Sequence, residues 1–286
     1  MLYVFISIFC SVIVAVLLKL AKRYHIDVLQ AITWNYSAAI FLTWIIYKPQ
    51  ITPQVLQMVP NYTYLALGVL LPVMFLLIKS AIQATGIVLT EVAQRLSLFI
   101  PIIAAFLLFS EQLNNLKIIG LSLGFAAIVC SIPWRKGRGA KKSTGAWYFL
   151  LTVFLGMGVI DILFKRVAVI TVVPYTTSLF IIFVLAFMVS LVFVAIQIVR
   201  KRTKFSLPHV LIGWVLGAAN FCNILFYLKA HQTMSTQPSA VFSAMNVGVI
   251  TLGTLVGLLV FNEKLSHLNK IGIFLALVSI IVVANA

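Results

Sequence analysis

The chain has 286 residues, 63% of them hydrophobic and only 9% charged, with a mean hydropathy of +1.14. Soluble domains average about 45–50% apolar and about 25% charged residues, so this composition excludes a soluble globular protein and points to an integral membrane protein. The net charge of +16, from 21 Lys and Arg against five acids, sits mostly in short runs between apolar segments. That is the pattern of loops beside anionic lipid, and it argues against nucleic acid as a partner.

A membrane span needs about 20 mostly apolar residues. Ten runs qualify: 2–21, 29–47, 62–83, 86–109, 115–134, 145–167, 175–199, 208–231, 237–261 and 268–285. The first lacks the basic start and small-residue cleavage site of a signal peptide, so it reads as a membrane helix. Cys10, Cys130 and Cys222 fall inside apolar runs without metal or disulfide spacing, and read as small buried hydrophobes. Pro72 in the third run and Pro101 in the fourth are expected to kink their helices.

The fourth run carries Glu91, Gln94, Arg95 and Leu98 on one helical face. Arg95 lies roughly 13 Å into the span, deeper than the headgroups, and such a charge should face a cavity or a partner. An internal ion pair with Glu91, four residues earlier, is the structural alternative and is compatible with a cavity-lining role. The fourth run then leads into a hairpin, Phe109 to Gly120, FSEQLNNLKIIG.

After the fifth run comes Arg135 to Thr144, RKGRGAKKST, the one plausible linker. It separates residues 1–134 from 145–286. In the sixth run Asp161 and Lys165 form an acid-before-base pair near a membrane surface, where snorkelling of the lysine is the expected reading. The eighth run places Asn220, Asn223 and Tyr227 on one face, and the ninth places Ser239, Ser243 and Asn246 on another. In the ninth, Gly253 and Gly257 form a GxxxG that would allow close helix packing.

A second hairpin, Phe261 to Gly272, FNEKLSHLNKIG, repeats the first at an offset of 152 with six of twelve positions identical. At an offset of 149, Leu67-Gly68, Ala81 and Gln83 match Leu216-Gly217, Ala230 and Gln232. The chain therefore reads as two five-helix units. An odd number of spans per unit makes the second enter the bilayer upside down, the inverted repeat of many secondary transporters. The basic clusters Lys19, Lys22, Arg23 and Arg200-Lys201-Arg202-Lys204 then share one side with the linker. By charge bias that side is cytoplasmic and both termini face outward.

The repeat motif keeps Glu111 and Glu263, with Gly120 and Gly272. Each glutamate is expected to satisfy free N–H groups at the start of the helix that follows it; a proton or substrate carboxylate is the alternative. The same offset lays Glu91 over Ser243 and Gln94 over Asn246, so two equivalent helices carry polar stripes at equal depth. They line one pathway, or they act as polar glue between helices. No nucleotide-binding loop, HExxH or GxSxG is present, so neither an enzyme, a cofactor nor a metal is expected.

Together the Pro101–Gly120 and Gly253–Gly272 stretches, each a fourth helix running into a Glu-x-Leu hairpin and a Gly-bearing fifth helix, resemble the EamA-like branch of the drug/metabolite transporter superfamily. The resemblance implies ten helices in two repeats and a secondary transporter, often an exporter of amino acids, nucleosides or related metabolites. It also implies a cavity lined by the first, third, fourth, sixth, eighth and ninth helices. This chain departs from the family pattern at Glu91 and Arg95, and at Gly253 where the first repeat has Pro101.

The expectation is thus an all-α, multi-pass transporter of the plasma (inner) membrane, monomeric or homodimeric. It would move an amino acid, nucleoside or organic anion by alternating access, with a proton as a coupling ion and lipid as its surroundings. Arg95 would hold a negative group, with Glu91 setting its pose. Gln94, Asn220, Asn223, Tyr227, Ser243 and Asn246 would supply neutral hydrogen bonds. A channel and a non-transporting scaffold or receptor are the alternatives.

Overall fold

The computed structural model describes every residue except 24–25, 53–60, 86–89, 91–92, 95, 113, 132–146, 171, 202, 204, 262–266 and 285–286. The linker expected at 135–144 lies outside the described residues. Among the described residues there are ten helices: α1 Leu2–Arg23, α2 Val28–Tyr47, α3 Asn61–Thr85, α4 Phe99–Leu107, α5 Asn115–Ser131, α6 Trp147–Val169, α7 Tyr175–Val199, α8 Leu207–Thr233, α9 Pro238–Phe261 and α10 His267–Ala284. An apolar segment in lipid must satisfy its own backbone groups, and a helix does so within one segment. Among the described residues, five stretches are long and apolar enough to cross a membrane: Tyr62–Ile82, Trp147–Val169, Tyr175–Val199, Leu207–Thr233 and Pro238–Gly257.

Nine of the ten expected spans coincide with a helix to within a few residues. The fourth, 86–109, lies partly outside the described residues; Thr90, Ala93, Gln94 and Leu96 are helical ahead of α4. Proline lacks an N–H and its ring crowds the carbonyl four residues back, which for Pro101 is that of Ser97. The chain turns at Ser97–Leu98, and Ile100 N–H bonds to Ser97 O in place of the missing donor. The helix restarts as α4, with Pro101 in its first turn. Leu98 keeps right-handed helical angles, so the distortion expected at Pro101 takes the form of this one turn.

The helices pack into two compact units that do not follow the two halves of the sequence. One unit comprises Met1–Phe9, Leu77–Ile162 and Ala230–Ala286. In it α5 packs extensively on α10, and α9 packs on α4, α5 and α10. Gly120 makes the α5–α10 approach possible, since a β-carbon there would lie 2.5 Å from Val283 Cγ2. Ser279 Oγ of α10 donates to Gly120 O at 2.7 Å across the same seam. Ala127, Val247 and Ala276 form the core between the three long helices.

The other unit comprises Cys10–Leu76 and Leu163–Lys229, with α2 packed along α7. Here Asp27 starts α2 by accepting the Leu29 N–H at 3.0 Å. The Thr33 hydroxyl reaches Ser190 O on α7, and the ring of Trp34 meets that of Phe187. Two glycines that the repeat pairs at an offset of 149 lie in equivalent seams. A β-carbon at Gly68 of α3 would strike Leu185 Cβ of α7 at 2.5 Å, and one at Gly217 of α8 would strike Ala38 Cβ and Asn35 O of α2 at 2.6 Å each. Each half lays the glycine of its third helix on the second helix of the other half.

The GxxxG of α9 behaves otherwise. A β-carbon at Gly253 would meet nothing within 4 Å, so this glycine is not where another described helix approaches closely.

Candidate functional site

The hairpin between α4 and α5 is built to aim one carboxylate. At the end of α4 the Phe109 and Glu111 N–H groups reach back to Ala104 O and Ala105 O. Ser110 takes a left-handed conformation, φ 53°, which non-glycine residues seldom adopt. The chain reverses there, and the Glu111 side chain is buried.

Glu111 does not cap α5. Asn114 performs that task, its Oδ1 accepting the Lys117 N–H at 2.7 Å. The Glu111 carboxylate instead crosses to the start of α9. Oε2 accepts the Ser239 N–H at 2.8 Å, and Oε1 accepts the Ser239 hydroxyl at 2.5 Å. Pro238 opens α9 and has no N–H to satisfy, as suits the first helical position, so Ser239 carries the first orphan donor of that helix. The expected role as a helix cap holds in kind, but the helix capped is in the other half. Lys117 Nζ completes the cluster, 3.0 Å from Glu111 Oε1 and 3.1 Å from Gln112 O. A cation in the first turn of α5 opposes the helix dipole; the Glu111 charge offsets it.

The polar stripe of α9 turns inward along this unit. Ser239 is held by Glu111. Ser243 is buried with its hydroxyl beside the glycine-lined face of α5, 3.4 Å from where a β-carbon of Gly124 would lie. Asn246 donates to its own helix at Phe242 O, 3.1 Å, and is half-buried, as is Gln94. The backbone carbonyl of Gln94 accepts the Ser97 hydroxyl at 2.6 Å. Ser239 and Ser243 thus both face other helices of this unit.

The second unit holds Asn220, Asn223 and Tyr227 of α8. The two asparagines are half-buried, and Tyr227 is buried with its ring edge-on to Phe164 of α6, centroids 6.2 Å apart. Next to Phe164, Lys165 is only 1% exposed and is among the largest fully buried side chains. Snorkelling does not describe it. The sequence signal for its burial was the stripe Phe164, Lys165, Ala168, whose members are all buried; a lone lysine near a helix end masks that pattern. Arg95, Glu91 and Glu263 lie outside the described residues, and Gly272 is buried in α10.

A protein of Haemophilus influenzae, described as an uncharacterized protein, is 43% identical over 280 residues, covering 96% of this chain and 94% of its own. The chain belongs to that protein's family. No family model matches it. A crystal structure of another protein superposes with a TM-score of 0.73 at 15% identity, over 98% of this chain and 94% of that one. The family's helical architecture is thus shared, at the level of fold, with a solved protein of distant sequence.

Proposed function

We propose that the protein is a secondary active transporter of the EamA-like branch of the drug/metabolite transporters. In this reading it exports a small metabolite across the plasma membrane by alternating access between two inverted five-helix repeats. The observation that carries the reading is the exchanged glycine pair. Gly68 against α7 and Gly217 against α2 make the same contact twice with the halves interchanged. That is the arrangement a pseudo-two-fold axis relating two repeats requires.

The polar residues of the second unit support a solute-binding role. Buried polar and charged groups in apolar helices are costly and tend to mark substrate or ion pathways. Arg95 supplies a further cation, Glu91 orients it, and Gln94, Asn220, Asn223 and Asn246 offer neutral hydrogen bonds. A proton is the coupling ion of this scheme, and the working unit is a monomer or homodimer.

The test is flux of candidate metabolites in vesicles reconstituted with the full chain, wild type against Arg95→Ala. Saturable, gradient-driven flux in the wild type that falls in the variant supports the reading. Unsaturable flux identifies a channel. Full flux by a folded Arg95→Ala protein removes Arg95 from the site.

A further inference from the structure

We infer that a hollow at the end of α7 binds one anionic phospholipid, its phosphate on Arg200 and an acyl chain along Val192, Ala195, Ile196 and Val199. The inference needs the chain to sit in a bilayer and does not depend on the transporter reading.

The hollow measures about 430 Å³ and is lined by those four apolar residues and Arg200. Small-molecule sites span roughly 300–1,000 Å³. The four recur at helical spacing, so they form one stripe of α7, and Ala195 is the small member whose missing bulk leaves the dip. Val192, Ile196 and Val199 are 57%, 43% and 81% exposed, so the stripe faces outward. It rises about 10 Å from Val192 to Val199, about two-thirds of a hydrocarbon leaflet of roughly 15 Å.

The polar end falls where a phosphate lies. Tyr175–Val199 is long and apolar enough to cross a membrane, and Arg200 is the next residue. Its backbone is fixed: the Arg200 N–H bonds to Ile196 O at 3.0 Å and the Lys201 N–H to Ile198 O at 2.9 Å. The chain reverses at Lys201, φ 53°. Phe205 then sets its ring edge-on to Trp34 of α2, centroids 6.2 Å apart, which pins the far end of the basic run.

The charge balance at this end favours an anion. The unit has one acid, Asp27, and its carboxylate is engaged at the start of α2. Among the described residues none forms an ion pair with Arg200. The negative end of α7 amounts to about half a charge, against the four cations Arg200, Lys201, Arg202 and Lys204. A guanidinium offers paired N–H donors to phosphate oxygens. A zwitterionic lipid would bring its own cation to the same run, so an anionic headgroup is preferred.

The experiment is native mass spectrometry of the purified full chain, titrated with dioleoyl phosphatidylglycerol and with dioleoyl phosphatidylcholine. One phosphatidylglycerol should bind at least about 5-fold tighter than phosphatidylcholine. Arg200→Gln should remove most of that preference. Lys201→Gln, which takes the same charge from outside the hollow, should leave more than half of it. Ala195→Leu fills the hollow without touching a charge and should weaken phosphatidylglycerol binding by about 5-fold; Val192→Phe is the second filler should that variant not fold. Equal affinity for the two lipids overturns the proposal, as does unchanged binding in Arg200→Gln or in a folded filler variant. Displacement of phosphatidylglycerol by sn-glycerol 3-phosphate overturns it too, since the site would then take a soluble phosphate. Selective lipid binding by a protein that moves no metabolite across vesicles upholds the site and overturns transport; flux without lipid selectivity does the reverse.

Discussion

Glu111, in the hairpin after α4, accepts both the backbone N–H and the hydroxyl of Ser239, 128 residues later at the start of α9. The contact ties the α4–α5 hairpin to the entry of α9, and Lys117 neutralises it from α5. All the charge in this cluster is buried and paired. Its chemistry is to hold elements together.

Removing one partner of a buried pair leaves the other charge uncompensated, which costs about 3–5 kcal/mol. Glu111→Gln should therefore destabilise the protein by that order, measured by unfolding in detergent. Glu111→Gln/Lys117→Met should recover a large part of the loss, and a double-mutant cycle reads the coupling directly. A loss in the double variant equal to the sum of the singles would show that the pair does not act as one.

Ser239→Ala keeps the N–H bond to Glu111 and loses the hydroxyl bond. Hydrogen bonds to charged groups are worth about 1.5–3 kcal/mol, so the variant should lose close to 2 kcal/mol and remain folded. Ser239→Thr should restore part of it. The same unfolding assay checks both.

The glycines divide by what a β-carbon would meet. Gly217→Ala would press on Asn35 O and Ala38 Cβ, and Gly213→Ala would come within 2.7 Å of Ala31 O. Backbone cannot yield as a flexible side chain can, so both should be destabilised by about 1–3 kcal/mol. Gly253→Ala fills open space and removes a poor helix former, so it should gain up to about 1 kcal/mol. Melting temperatures of the three variants, purified in parallel, give the order.

Tyr64 of α3 and Ser178 of α7 share a buried hydroxyl–hydroxyl bond. Tyr64→Phe keeps the ring and removes one of the two bonds of the serine hydroxyl, so it should cost about 1 kcal/mol. An unchanged melting temperature would show that Ser178 is satisfied by its other bond, to Pro174 O at 3.3 Å.

Most of the scaffold was legible because helix position in lipid follows from apolar run length, and the runs here are sharply bounded. The repeat was legible for the same reason: Phe109–Gly120 and Phe261–Gly272 are polar islands in an apolar chain. What escaped depended on partners distant in sequence. Glu111 announces a cap, but a carboxylate three residues before a helix looks like that helix's own, and only the Asn114 cap shows it to be spare. Lys165 resembles any lysine near a helix end, because burial is a property of neighbours. Ser243 faces the glycines of α5, a contact that the periodicity of α9 alone cannot distinguish from a wall of a pathway.

The interchange of Gly68 and Gly217 also has a meaning for biogenesis. When α2 and α3 leave the ribosome, the helices that fill their grooves, α7 and α8, have not been synthesised. The first half must wait with the Gly68 face of α3 and the Asn35–Ala38 face of α2 uncovered, and it closes only when the second half arrives. A ribosome that stalls after α5 therefore releases an incomplete product, and two separately expressed halves should need each other to escape proteolysis.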